Sequence, residues 1–254
     1  MRFDSYGFLL ANLVLRDFRV RYRNMSLGIF WSLVNPLVMM ATLTFIFTRI
    51  FPNNIVPDFA VFVLCALVPF NFYSLAAAIG TTSIVDNHPL VKRVKFPREI
   101  IPLASVLSNC LHFLIQIGLL IAFVLGFGYP INPYWLWLPV VWGLEVIFLC
   151  GLTLATSALD VYIRDMRYLI ESSNLVLFWL VPIFYPLSII PQKYHLIYQL
   201  NPIAAVVLAC RNILLEAKAP PTSLLIKLTA VSIFFSVLGF VIFAKLKRRF
   251  ADLV

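Results

Sequence analysis

The stretch Ile100–Leu144, IIPLASVLSNCLHFLIQIGLLIAFVLGFGYPINPYWLWLPVVWGL, contains no Asp, Glu, Lys or Arg. A helix that crosses a bilayer needs about 20 apolar residues. The stretch is too long for one crossing and long enough for two. Gly126-Phe127-Gly128-Tyr129-Pro130 and Asn132-Pro133 interrupt it, and Gly and Pro are the strongest breakers of a helical run. It reads as a hairpin, with spans over 101–126 and 134–158.

Working outward, apolar runs over 27–48 and 59–85 precede this hairpin, and runs over 172–190 and 223–244 follow it. The predicted fold is an all-α integral membrane protein of six transmembrane helices, with residues 1–254 as a single membrane domain. Composition agrees. Charged residues make up 12% of the chain and mean hydropathy is +0.95, whereas soluble domains carry about 25% charged residues. A surface so poor in charge would not stay dissolved. Residues 191–222 fit no span. They hold Pro191, Asn201-Pro202 and a short apolar run, Ile203–Cys210. Either they form an exposed loop with apolar patches, or 191–210 forms short re-entrant helices between spans five and six. The second is the expectation adopted.

The net charge of +9 does not point to nucleic acid, because the basic residues lie between apolar runs. With the N-terminus inside, segments 1–24, 86–99, 159–171 and the tail after 244 carry fifteen Lys and Arg, against Arg49, Lys193, Arg211 and Lys218 outside. Such a bias places both termini in the cytoplasm. Tyr129, Tyr134, Trp135 and Trp137 then fall at the outer interface, where aromatic belts lie. Residues 1–24 do not read as a cleavable signal, being Arg-rich and lacking an A-x-A site.

Reactive chemistry is sparse. Cys65, Cys110, Cys150 and Cys210 form no CxxC pair, and His88, His112 and His195 are far apart. No GxxxxGK[ST], HExxH, DxD or GxSxG stretch occurs. No catalytic residue, metal site or cofactor site is predicted, and the chain has no phosphate-cradling loop of its own.

Three inside segments ask for a role beyond topology. In the first, Leu9, Leu10, Leu13 and Val14 make an apolar stripe at helical spacing, with Arg16, Arg19 and Arg23 on a polar side. This reads as an amphipathic helix on the membrane surface. In the second, Asp86–Pro97, Asn87 or His88 suits a cap and Pro89 the first helical position. Pro97 closes about two turns. It reads either as a short helix pressing on a partner or as a basic loop on lipid. The third, Asp160–Arg167, has mixed charge and pairs with other cytoplasmic groups or caps the next helix. Within the spans Glu145 stands out, near the middle of span four. An intramembrane carboxyl faces protein or water; it is a pathway residue, a dimer contact, or a buried structural group, with Lys227 a possible partner.

Residues 16–37, RDFRVRYRNMSLGIFWSLVNPL, resemble the start of ABC-type polysaccharide exporter permeases. The match runs over Arg21-Tyr22, Ser26-Leu27-Gly28, Trp31 and Pro36. Agreement continues through LVKRVKFPREIIPL at 90–103, IRDM at 163–166, YPLSIIP at 185–191 and LNPIA at 200–204. The resemblance implies a homodimeric permease paired with two separate ATP-hydrolysing subunits, which bind the ATP and Mg. It implies that residues 86–98 form a coupling helix docking on the ATPase, through Pro89, Leu90, Val91, Lys92, Arg93, Val94, Lys95 and Phe96. Arg164 and Asp165 would make a second contact. Arg16, Arg19, Arg21, Tyr22 and Arg23 would belong to an interface helix. The cargo implied is a lipid-linked polysaccharide of the O-antigen, capsule or teichoic acid type, moved across the bacterial inner membrane.

Six apolar helices do not easily enclose a hydrated path, whereas two sets of six leave a channel between them. Sugar rings stack their C–H faces on aromatics. Phe30, Trp31, Phe70, Phe72, Tyr73, Phe178, Trp179, Phe184 and Tyr185 are therefore candidates to line it, together with Glu145. Two other classes stay open: an ion-driven flippase working through Glu145, and a membrane enzyme on lipid-linked sugars, which would need a polar catalytic cluster that the sequence lacks.

Overall fold

A computed structural model describes residues 3–23, 28–51, 56–93 and 96–250. These residues form helices and connecting turns, with no strand among them. The helices are α1 (Phe3–Tyr22), α2 (Trp31–Phe45, continued by a wider π turn to Ile50), α3 (Phe59–Asp86), α4 (His88–Arg93), α5 (Ile100–Gly126), α6 (Leu138–Asp160), α7 (Met166–Leu180), α8 (His195–Leu200), α9 (Pro202–Leu214) and α10 (Thr222–Leu246).

Five helical stretches are long and apolar enough to cross a membrane: Trp31–Ile50, Phe59–Asp86, Ile100–Gly126, Pro133–Asp160 and Thr222–Leu246. The expected fifth span, 172–190, differs. Its helix α7 begins at Met166 and stops at Leu180, about 22 Å of rise. Pro182 and Pro186 explain the stop. The residue before a proline is pushed out of the helical region, and Val181 is extended at φ −72°, ψ 138°. Downstream, Gln192–Leu200 and α9 together are apolar enough for a sixth span but bend by 102° at Asn201. Asn201 and Pro202 set that bend. The Asn201 side chain accepts from the Ile203 and Ala204 amides, an N-cap with proline in the first position.

Helix α3 is the hub. It is apolar all round and packs on α2, α5, α6, α7 and α9, as expected for a helix buried on every side. Helices α2 and α10 lie at the periphery, exposing Val38 and Phe45, and Ile226, Ile233, Phe234 and Phe240. Where helices meet closely, small residues allow it. A Cβ on Gly239 of α10 would lie 1.9 Å from the Gly151 carbonyl oxygen of α6, and one on Gly80 of α3 would strike the Thr153 side chain at 2.3 Å. Thr81 and Thr156 share a 2.8 Å hydrogen bond across α3 and α6.

Both described ends of the chain sit at one end of the bundle. There α1 reaches Asn87, Arg98 donates to the Lys247 carbonyl, Lys247 pairs with Glu99, and the Tyr162 hydroxyl donates to the Leu246 carbonyl. A separate apolar cluster of Ile84, Val91, Ile101, Leu154, Val161, Phe243 and Phe250 closes this end. At the other end Tyr129 donates to Asp58 and the Asn132 amide donates to the Ile213 carbonyl.

A polar groove and the helix anchored to it as the candidate functional site

Polar residues let into the apolar helices at helical spacing come together along one groove of about 790 Å3. Helix α2 contributes Trp31, Ser32, Asn35 and Met39, and α3 contributes Asn71, Ser74, Leu75 and Ala78. Steps of three and four residues keep each set on one helix face. From α5 come His112 and Gln116, and from α7 Glu171, Asn174, Leu175, Phe178 and Trp179. Arg21 and Tyr22, the end of α1, complete it.

Hydrogen bonds tie these walls together. The Gln116 amide donates to the Ser32 carbonyl at 3.1 Å and lies 3.2 Å from His112 Nε2. His112 Nδ1 meets the Tyr22 hydroxyl in a short hydrogen bond. Arg21 donates to Asn109 Oδ1 at 2.6 Å, and Asn109 in turn donates to the Ser105 carbonyl. The Asn174 amide donates to the Ser74 carbonyl, joining α7 to α3. Burial lowers the Arg21 pKa from its ordinary value, and burial raises that of Tyr22, with the Arg21 charge opposing the rise. Glu171 is paired with Arg167 at 2.9 Å. Amides, hydroxyls and aromatic faces in one groove suit a polyhydroxylated ligand: hydrogen-bonding groups for hydroxyls and flat rings for C–H faces. Among the described residues no group of three or more His, Cys, Asp or Glu stands close enough to hold a metal ion.

Of the aromatics predicted to line a path, Trp31, Phe178 and Trp179 are on the groove. Phe30 is exposed beside it. Phe70, Phe72 and Tyr73 are placed in the core instead, because α3 is surrounded: Phe72 stacks on Phe113 at 4.3 Å, Tyr73 lies against Phe148, and Phe70 meets Phe178 edge-on. Phe184 stacks on Phe47. The Tyr185 hydroxyl donates to the Leu180 and Trp179 carbonyls, closing the end of α7. Glu145 is also off the groove. It is 1% exposed, and neither carboxyl oxygen has a partner among the described residues. Lys227 does not pair with it, because Lys227 reaches Gln199. Sequence reasoning passed over Asn35, Asn71, Gln116 and Asn174. Their signal was a polar residue every third or fourth position within an apolar run.

At the end carrying the termini, the expected docking segment is helix α4. His88, Pro89 and Lys92 are exposed, Leu90 is half-buried, and Val91 is held in the apolar cluster. Arg93 ends the helix, and Phe96 packs against that cluster. Val94 and Lys95, like Ser26 and Leu27 of the sequence motif, lie outside the described residues. Arg164 and Asp165 are exposed on the turn between α6 and α7. A cleft of about 320 Å3, lined by Asp86, His88, Asp160, Arg164 and Arg167, brings this turn against the start of α4. Along α1, Leu13 is buried on the face toward α5, while Arg16, Arg19 and Arg23 are exposed. Arg16 pairs with Asp17 and also donates to Asn87 Oδ1 at 2.7 Å.

The fold and the groove define an all-α integral membrane protein with a groove of aromatic, aliphatic and amide side chains cut into its helical bundle. The chain belongs to the ABC-2 type transporter family, whose model matches residues 9–215. It is 31% identical over 254 residues to the O-antigen export system permease protein RfbA of Klebsiella pneumoniae, covering 98% of this chain and 97% of that one. The RfbA permease of Myxococcus xanthus is 30% identical over 252 residues, covering 98% and 96%. The polysialic acid transport protein KpsM of Escherichia coli is 26% identical over 211 residues, covering 81% and 80%.

Proposed function

We propose that the chain is the permease subunit of an ATP-driven exporter that moves a lipid-linked polysaccharide across the bacterial cytoplasmic membrane. The observation that carries this reading is the groove: a family member whose relatives include O-antigen export permeases has amides and aromatics lining one open path. Two copies facing each other would join two such grooves into a channel. Power comes from two separate ATPase subunits, which bind the ATP and Mg; the sequence of this chain has no phosphate-binding loop.

Each remaining segment takes a role under this reading. Helix α4 docks on the ATPase, with Arg164 and Asp165 beside it, and α1 lies at the membrane surface flanking that contact. The α8–α9 pair forms the re-entrant outer mouth. Both termini face the cytoplasm, the side favoured by the basic residues gathered at that end.

The test is purification of the tagged chain from its native host in mild detergent, with mass spectrometry of what accompanies it and an ATP hydrolysis assay. A stoichiometric ABC-type ATPase with vanadate-sensitive hydrolysis is the expected result. A chain free of ATPase under several detergents, with glycan export that collapses with the proton gradient, would replace this reading with the ion-driven one.

A further inference from the structure

Two side-chain amides of the groove have their nitrogen ends committed to the protein and their oxygen ends uncommitted. Pro36 has no N–H, so the Ser32 carbonyl four residues before it loses its donor within α2. The Gln116 amide replaces that donor at 3.1 Å. The same nitrogen lies 3.2 Å from His112 Nε2; an amide nitrogen only donates, so both Gln116 N–H groups are taken. On α7 the Asn174 nitrogen donates to the Ser74 carbonyl at 3.2 Å. Turning either amide over would set oxygen against oxygen, so both orientations are fixed. Gln116 Oε1 and Asn174 Oδ1 have no partner among the described residues. Yet the two residues are 2% and 9% exposed, and buried polar atoms are normally satisfied. Both line the groove. Their oxygens lie just under its surface, where a chain that parts the walls reaches them.

Charge along the groove is balanced. Among the described lining residues the cation is Arg21, bound to Asn109 Oδ1 at 2.6 Å, and the carboxylate is Glu171, paired with Arg167. Fixed acceptors without a surplus cation favour a ligand that brings hydroxyl donors. They disfavour one that brings carboxylates or phosphates, because like charges set face to face are repulsive. A site built to hydrogen-bond a hydroxyl also discriminates strongly against a group that cannot donate.

We propose that Gln116 and Asn174 are specificity-determining residues, whose side-chain oxygens select a neutral, hydroxyl-rich glycan over one with an acidic repeat. This selection rests on the proposed permease role and narrows its cargo.

In the first experiment the chain is depleted in its host, and the surface glycan that disappears is isolated from undepleted cells and released from its lipid. On an anion-exchange column at neutral pH it is expected to run through unretained, with no uronic acid, sialic acid or phosphate in its repeat. A retained glycan with an acid group in its repeat would overturn the proposal. In the second, export is compared between Asn174 variants, normalised to the amount of assembled complex recovered. Asn174→Leu, which removes the acceptor, is expected to lower export about three- to tenfold. Asn174→Asp, which keeps an acceptor but cannot donate to Ser74, is expected to retain it. An Asp variant that fails like the Leu variant would mean that Asn174 serves only the Ser74 carbonyl, and its selecting role would fall. Gln116→Met also strips the Ser32 carbonyl of its donor, so it is expected to lose stability and export together, and Asn174 carries the test. If depletion removes no glycan and no ATPase co-purifies, the permease reading falls and the selection falls with it. If the ATPase is present and the missing glycan is acidic, the selection alone is wrong.

Discussion

Arg211 brings a guanidinium into the apolar interior and satisfies it with main-chain carbonyls. It donates to Pro182 at 2.6 Å, to Ile183 at 2.7 Å and to Phe62 at 3.3 Å, and stands 3.4 Å from the centroid of the Phe62 ring. The two prolines that end α7 leave the Pro182 and Ile183 carbonyls without helical donors, and irregular backbone inside a membrane protein persists only where the protein supplies them. Arg211→Ala should therefore lower the unfolding temperature in detergent, since each abandoned buried acceptor costs about 1–3 kcal/mol. Arg211→Lys should recover only part, because an ammonium lacks the planar fork that serves several carbonyls together. Unchanged melting of the Ala variant would deny the role. None of this was legible in the sequence, where Arg211 reads as an ordinary loop charge: its acceptors lie 29, 28 and 149 residues away. The Glu145–Lys227 pairing failed for the same reason, since two charges in different spans say nothing of which helix faces lie together. Local chemistry was legible. Asn201-Pro202 marks the start of α9, and Gly28 in the LGxxW motif takes φ +47°, a conformation that favours glycine.

Elements were readable where length and charge decide them. The hairpin of α5 and α6 follows from the absence of charge over Ile100–Leu144, and α3 and α10 from their apolar runs. The run over 172–190 is helical only as far as Leu180, because hydropathy does not register backbone: Val181–Pro186 is as apolar as a span but cannot continue the helix. Packing between elements was also hidden. At the α6–α10 crossing, Gly151 and Gly239 let the two backbones meet, and the Ser236 hydroxyl donates to the Ile147 carbonyl alongside. Gly239→Ala should push these helices apart and destabilise the protein by about 1–3 kcal/mol, the usual penalty of overpacking. Gly143→Ala on the same α6, where a Cβ meets nothing within 4 Å, should be neutral or stabilising by up to about 1 kcal/mol, since alanine is the better helix former. Thermal unfolding of the two variants in one detergent checks both. Equal melting temperatures would mean that the crossing is looser than its geometry.

At the scale of the whole molecule, the structure gathers at one end the segments that the charge pattern assigned to one side. Helices α1 and α4, the turn holding Arg164 and Asp165, and the residues after α10 are joined there by Arg16–Asn87, Arg98–Lys247 and Tyr162–Leu246. The turn holding Leu136 belongs to the opposite end, where Asn132 is bound to Ile213. Basic residues are retained on the cytoplasmic side, so the first end should face the cytoplasm and Leu136 the exterior. Leu136 is 81% exposed and Arg164 is exposed, which makes cysteines at these two positions good reporters. The native Cys65 and Cys210 are buried, and with Cys110 and Cys150 replaced the background is low. In spheroplasts a membrane-impermeant maleimide should label Leu136→Cys directly and Arg164→Cys only after permeabilisation. The reverse pattern would invert the molecule. It would put α4 and the Arg21–Tyr22 end of the groove outside, where no ATPase could dock, and the export reading would lose its motor along with its direction.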